Sequence, residues 1–237
     1  MRLKTFGMAS VLALAMMAPA ANAETITVFP QTEGNVFGAT GSQNVTVSVP
    51  GTGIVGARAG AFQLREGMRD FIAWCVDAAV TLSLPAGGRQ YTSSDAPFTN
   101  GQTLSTDVVN NIQRLFDTAY QNLDLTNNVQ TAGFQLALWE IIYEKPANLF
   151  DVTKGIFQET SNNLNVQSAA TGFLSGLDGP ATSRFDLTFW QAETNSHGKR
   201  LSQNLVEATV IPLPAGVWML LAALGALIAA GRARRTA

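Results

Sequence analysis

A strongly apolar stretch, TAGFQLALWEIIYE from Thr131 to Glu144, carries the feature that most restricts how this chain can fold: a glutamine, Gln135, near its middle. On a helix, the residues three, four and seven positions further on share a stripe with Gln135, and these are Leu138, Trp139 and Ile142. Gln135 should therefore point into the core. Because a buried carboxamide without partners costs about 1–3 kcal/mol, we expect this side chain to be hydrogen-bonded or chemically altered.

The single cysteine of the chain, Cys75, lies in an equally apolar run, FIAWCVD from Phe71 to Asp77. One cysteine cannot form an internal disulfide, so it is a buried small side chain, an intermolecular bridge or a reactive group. The leading hypothesis is that Cys75 and Gln135 meet in the folded chain.

The two ends predict export. Residues 1–23 combine Arg2 and Lys4 with an apolar run and Ala21-Asn22-Ala23, a pattern typical of a signal peptide that signal peptidase removes. About twenty apolar residues from Ile211 to Ala230 can just span a bilayer. The arginines that follow would stay on the cytoplasmic side.

Residues 24–210 hold 10 Lys and Arg against 17 Asp and Glu, a net charge of −7. An acidic body of this kind repels phosphate backbones, and no basic stripe with interleaved aromatic residues is visible. Nucleic acid is therefore not an expected partner.

The fold class follows from hydrophobic periodicity. Residues 44–49 alternate and end at a Pro-Gly turn, and two further strand-like runs lead to Cys75. Val108 to Tyr120 has helical spacing behind a Ser105 or Thr106 cap, and the Gln135 helix ends before Pro146. A short helix near 166–177 and strands from Ser183 follow. We expect one α+β domain over 24–210, with a β sandwich or barrel-like sheet and a packed helical hairpin.

The residue patterns that most classes of active site require are not visible in this sequence. The only histidine, His197, lies in a polar turn, so neither a histidine metal site nor a Ser-His-Asp triad is indicated. Asp77, Glu140 and Glu144 form no recognisable acid-base pair, and no calcium-loop pattern is present. The Gly51–Gly56 match to G-x-G-x-x-G lacks its following helix. We expect no enzyme activity, no cofactor and no metal.

Cys75 and Gln135 together suggest a more specific hypothesis, that their side chains react with each other. A thiol beside a carboxamide in a water-poor site can attack the carbonyl carbon and expel ammonia, which leaves a thioester. A lysine amine or a hydroxyl of a partner can then take the acyl group, once and without turnover. The alternative is a buried free thiol beside a hydrogen-bonded glutamine. The expected shielding residues are Phe71, Trp74, Phe134, Leu138 and Trp139.

The C-terminal 27 residues begin with Ile211, Pro212, Leu213, Pro214 and Ala215, and Arg232, Arg234 and Arg235 follow the apolar span. This pattern resembles the VPLPA variety of the PEP-CTERM sorting signal, with Ile211 in place of the usual valine. The resemblance implies that an exosortase removes the tail of 211–237 and passes the protein to the cell surface or to an extracellular polysaccharide matrix. An ordinary single-span membrane anchor remains the alternative.

Residues 62–150 resemble the thioester domains of Gram-positive surface adhesins. Trp74 precedes Cys75 as an aromatic or aliphatic residue does there, and Phe134-Gln135-Leu136-Ala137-Leu138-Trp139 is similar to the family's apolar-Gln-x-x-apolar-Trp motif. In many members a threonine stands directly before the glutamine, whereas here the nearest one, Thr131, lies four residues earlier. The long repeat stalk and wall anchor of such adhesins are also absent from this sequence.

The sequence therefore predicts an exported cell-surface or matrix protein for adhesion or biofilm attachment. It would capture a nucleophile on a surface polysaccharide or protein through a Cys75–Gln135 thioester. A non-covalent matrix protein with the same fold is the alternative, and a secreted hydrolase is disfavoured because no catalytic cluster is present.

Overall fold

The computed structural model describes residues 23–94, 98–99, 102–144, 150–178 and 183–211. The described residues form a mixed α+β fold of eleven strands and three α-helices. The strands are β1 Thr25–Pro30, β2 Gln43–Val49, β3 Gly53–Ala59, β4 Phe62–Glu66, β5 Arg69–Cys75, β6 Arg89–Ser93, β7 Phe98–Thr99, β8 Gln102–Thr103, β9 Gln158–Glu159, β10 Phe185–Ala192 and β11 Leu205–Val210. The helices are α1 Thr106–Ala119, α2 Asn128–Tyr143 and α3 Leu164–Leu174.

Six strands close into a barrel in the order β1-β4-β5-β11-β10-β6. A separate three-stranded sheet has the order β3-β2-β9, with β2 in its centre. The predicted barrel-like sheet is thus confirmed. The three-stranded sheet contributes to the same apolar core as the barrel.

The helix α1 begins where the sequence predicts. The Ser105 side chain accepts a hydrogen bond from the Val108 N–H, which satisfies one of the free donors at a helix start. Val108, Ile112 and Leu115 are buried on one face, as the spacing predicts.

The helix α2 is buried on all sides and not along a single stripe, because every residue from Thr131 to Tyr143 is buried. A helix that is apolar all round belongs in the middle of a core. It packs chiefly against α3, with α1 as a second neighbour. At the closest point a Cβ on Gly133 would lie 2.5 Å from the Cβ of Ala169. The predicted hairpin of two helices is therefore a group of three.

None of the helices in the described residues is long and apolar enough to cross a bilayer. The predicted signal peptide and sorting helix lie outside these residues, apart from Ala23 and Ile211.

Candidate functional site

Cys75 is the last residue of β5. Of the two strands next to β5 in the barrel, only β11 extends far enough to pair with it. On one side Leu205 of β11 is its partner, and the next residue, Val76, donates its N–H to the Asn204 carbonyl over 3.1 Å. On the other side β4 begins at Phe62, which pairs with Ala73. Alternate residues of a strand turn their main-chain groups to opposite sides, so those of Cys75 point to the side that β4 does not reach.

The Gln135 carboxamide occupies that place. Its Oε1 accepts from the Cys75 N–H over 2.8 Å, and its Nε2 donates to the Cys75 carbonyl over 2.8 Å. The carboxamide thus makes the two main-chain hydrogen bonds that a neighbouring strand would otherwise make with Cys75. The predicted meeting of Cys75 and Gln135 occurs, but it joins the Gln135 side chain to the Cys75 main chain.

The Cys75 thiol is in contact with a different glutamine. Its Sγ donates to Oε1 of Gln203 over 2.6 Å. That is shorter than the usual O–H···O distance of about 2.7–2.8 Å, although sulfur is larger than oxygen. Because a C=O bond is about 1.2 Å long, the Gln203 carbonyl carbon lies no more than about 3.8 Å from the sulfur.

The angle of this contact is that of a hydrogen bond, in which the sulfur approaches the oxygen at 90° or more from the C=O bond. With a C=O bond of about 1.2 Å, the sulfur then lies about 2.9–3.8 Å from the Gln203 carbonyl carbon. The two groups are close neighbours, and the carbonyl carbon would still have to approach the sulfur for them to react.

Gln203 belongs to a buried polar tripeptide, Ser202-Gln203-Asn204, directly before β11. The Tyr91 hydroxyl donates to the Gln203 carbonyl over 3.0 Å and contacts the Ser202 hydroxyl. The Asn204 side chain accepts from the Ala192 N–H over 3.0 Å. Strands β6 and β10 thus fix the main chain on both sides of Gln203, which limits where its side chain can lie.

A buried ion pair links the segments that carry the thiol and the carboxamide. Asp77 lies two residues after Cys75, Arg200 lies three residues before Gln203, and their side chains approach to 2.5 Å. Asp77 is fully buried, and its main-chain N–H donates to the Cys75 sulfur over 3.2 Å. The pair links the segment that carries the thiol to the segment that carries the Gln203 carboxamide.

The electrostatics keep the thiol protonated. Burial raises the pKa of Cys75 far above its ordinary value, and this outweighs the lowering by the Asp77 N–H and by Arg200. The Trp139 indole N–H, which makes no hydrogen bond of normal geometry among the described residues, also faces the sulfur and lowers the pKa. A thiol of this kind is inert toward general alkylating reagents.

A cavity of about 310 Å³ leads from the surface to this pair of side chains. Cys75, Gln203 and Trp139 line its inner end, and Phe37, Phe62 and Leu82 contribute apolar walls. Its size is near the lower limit for ligand pockets, about 300–1,000 Å³. It admits a side chain or one sugar ring.

The predicted shielding residues divide into two groups. Trp139 lines the cavity beside the thiol. Trp74 and Phe134 pack together with ring centroids 4.5 Å apart, but Trp74 points to the opposite face of β5 from the Cys75 side chain. Phe71 lies under the Arg69 guanidinium, and Leu138 is buried in α2. The sorting-motif residues from Pro212 to Arg235 lie outside the described residues.

Gln203 is the site residue that the sequence reasoning missed, together with its neighbours Tyr91 and Arg200. The available signal was three successive polar residues, Ser202-Gln203-Asn204, between two leucines at the start of a strand. A polar group in that position needs buried partners, as Gln135 does.

No model of a known protein family matches this chain, and no curated protein matches it. No cluster of three or more metal-ligating side chains occurs in the part of the chain that the structure describes.

Proposed function

We propose that this chain is an exported surface or extracellular-matrix protein that attaches covalently to its partner, and that the reactive group is a thioester between Cys75 and Gln203. The observation that supports this most strongly is the 2.6 Å separation of Cys75 Sγ and Gln203 Oε1 at the inner end of an open cavity. The predicted Cys75–Gln135 thioester is the less favourable pairing, because the Gln135 carboxamide is engaged by the Cys75 main chain.

The chemistry balances without a cofactor. The Cys75 sulfur attacks the Gln203 carbonyl carbon, the C–N bond breaks, and ammonia leaves with the thiol proton. An amine of the partner then attacks the same carbon, the C–S bond breaks, and the sulfur regains a proton from that amine. The product is a secondary amide on the Gln203 side chain and a free Cys75 thiol, formed once per molecule.

The residues around the pair have separable roles in this proposal. Gln135 positions the Cys75 main chain, the Asp77–Arg200 ion pair holds the two segments together, and Tyr91 fixes the Gln203 main chain. Such positioning is worth most when the reacting atoms already lie within about 3–3.5 Å.

The cavity favours amines over hydroxyls as nucleophiles. Its lining, as far as the described residues form it, includes no histidine, aspartate or glutamate. A hydroxyl would therefore find no general base there, whereas a neutral amine needs none. We expect methylamine to react and methanol at the same concentration to leave the thioester intact.

Export and sorting complete the proposal. The signal peptide, the Ile211 to Ala215 motif and the Arg232 to Arg235 tail support passage through signal peptidase and an exosortase. The membrane holds the chain until the tail is removed. The partner would be a protein or polysaccharide at the cell surface or in a biofilm matrix.

The test is the intact mass of the purified chain before and after methylamine. The thioester predicts a mass about 17 Da below the sequence value, and about 14 Da above that value after methylamine. Cys75→Ala and Gln203→Ala should each abolish both shifts. Gln167→Ala is the matched control, because Gln167 is a buried glutamine bonded to Glu159 away from the thiol. An unshifted mass in the folded chain would favour the non-covalent matrix protein.

A further inference from the structure

The strand β3 presents an open edge to solvent. It pairs with β2 on one side, from Gly53 with Val49 to Ala59 with Gln43. On its other side no strand pairs with it among the described residues. An unpaired edge carries a row of main-chain donors and acceptors that an added strand can use.

That open edge forms one wall of the cavity that leads to Cys75 and Gln203. Four consecutive residues of β3, Val55 to Arg58, line the cavity. Because successive side chains of a strand point to opposite faces, four consecutive lining residues fit a cavity that runs along the edge of the strand. The face of β3 is also open at Gly56, where an added Cβ would meet no atom within 4 Å.

Arg58 gives this entrance its charge. Among the residues that the structure describes, it is the only charged one that lines the cavity. Its guanidinium lies 4.6 Å from the centre of the Phe37 ring, and its Nε donates to the Ser42 hydroxyl over 2.9 Å. The terminal nitrogens make no hydrogen bond among the described residues, so they remain available to an anion.

For an acidic ligand at this cavity, the positive charge of Arg58 matters more than the negative net charge of residues 24–210. Residues 24–210 carry a net charge of −7, which disfavours acidic partners at long range. At physiological salt such interactions are screened beyond about 8 Å. A carboxylate in contact with Arg58 therefore gains more from the guanidinium than it loses to distant acidic residues.

We propose that the free edge of β3 beside the cavity is the docking site for an extended, acidic polypeptide segment of another protein, which adds to that edge and places a lysine side chain in the cavity, toward the Cys75–Gln203 pair. Main-chain hydrogen bonds to β3 would supply affinity independent of side chains. A glutamate or aspartate near the lysine would pair with Arg58. The covalent step is the one given above, with the lysine Nζ as the attacking amine, and to that extent the inference rests on the proposed function.

The covalent test uses blocked seven-residue peptides with one central lysine between valines. One peptide has a glutamate on each side of the valines, and its counterpart has glutamines there. The rate of adduct formation on the intact chain is divided by the methylamine rate. We expect the acidic peptide to react faster, and Arg58→Gln to reduce its advantage about two- to fivefold. The matched control is Arg65→Gln, since Arg65 also lies over a phenylalanine, Phe29, but lines a different surface.

Strand addition is tested by methylating peptide nitrogens. Two further acidic peptides carry N-methyl groups on alternate residues, in the two possible phases. One phase faces β3 and should lose about fivefold in rate per lost hydrogen bond, while the other should react as before. Equal rates for both phases would overturn strand addition, and equal rates for the acidic and glutamine peptides would overturn the role of Arg58.

A second measurement separates this inference from the thioester. Hydrogen exchange in the Cys75→Ala variant, which cannot form the bond, should slow at residues 54–58 when the acidic peptide is present. Protection without any mass loss in the natural chain would support the docking site and reject the covalent function. Absence of protection would overturn the docking site whatever the mass shows. A covalent adduct between two copies of this chain in place of the peptide adduct would also overturn it.

Discussion

Replacement of Gln135 separates its role in the fold from the chemistry of the thiol. Gln135→Leu keeps the approximate shape of the side chain and removes both hydrogen bonds to Cys75, so a buried N–H and a buried carbonyl lose their partners. Each orphaned group costs about 1–3 kcal/mol, which gives a total loss of about 2–6 kcal/mol. That is a large part of the 5–15 kcal/mol typical of a domain.

Gln135→Glu adds a pH signature to the same position. When protonated, the new carboxyl group can accept from the Cys75 N–H and donate to the Cys75 carbonyl, as the amide does. When ionised, it has no proton to donate and sits unscreened in the core, so its pKa should rise above the ordinary value of about 4.3. A raised folded pKa means that the stability is present below about pH 4.3 and is lost as the pH increases.

The assay is urea unfolding followed by tryptophan fluorescence at pH 4 and pH 8. All variants should carry Cys75→Ala, so that no covalent bond contributes, while the main chain that Gln135 contacts is retained. We expect the loss for Gln135→Leu to be similar at both pH values, and that for Gln135→Glu to be small at pH 4 and large at pH 8. A loss below about 1 kcal/mol for Gln135→Leu, or no pH dependence for Gln135→Glu, would refute the positioning role.

Four other consequences can be measured. In any molecule without the thioester, Cys75 should resist iodoacetamide at pH 8 in the folded state and react after unfolding, because burial raises its pKa. Asp77→Asn should destabilise the fold by about 3–5 kcal/mol in urea unfolding, since it removes the buried carboxylate that pairs with the Arg200 guanidinium. Burial raises the pKa of Glu140 to about 8. The Glu140 carboxyl therefore favours folding at acidic pH and disfavours it increasingly as the pH rises toward 8. Glu140→Gln should raise the Tm at pH 7 more than at pH 4. Gly56→Val should not lower the Tm, because nothing lies within 4 Å of the added Cβ and valine favours a strand more than glycine does.

Much of the fold follows from periodicity, and the site follows only in part. The cap at Ser105, the buried stripe of α1 and the β character around Cys75 are visible in the sequence because they depend on residues close together in the chain. The burial of Gln135 and its meeting with Cys75 could also be predicted, since a carboxamide in an apolar run requires a partner. The closure of six strands into a barrel depends on pairings such as β1 with β6, which no local pattern specifies.

The identity of the glutamine at the thiol was beyond sequence reasoning for a physical reason. Both Gln135 and Gln203 end beside Cys75, one at its main chain and one at its sulfur. Which of them meets the sulfur depends on where β4 begins and on how the segment before β11 is fixed by Tyr91. These are properties of the assembled barrel and not of either motif.

The measurement that tests the central claim most directly is the position of the methylamine adduct within the chain. The chain is treated with methylamine while folded, then unfolded, digested with trypsin and analysed by fragmentation mass spectrometry. Gln135 and Gln203 fall in different peptides, because Arg200 lies between them. We predict an increase of about 14 Da on Gln203 and none on Gln135. An increase on Gln135, or on neither glutamine, would contradict the account.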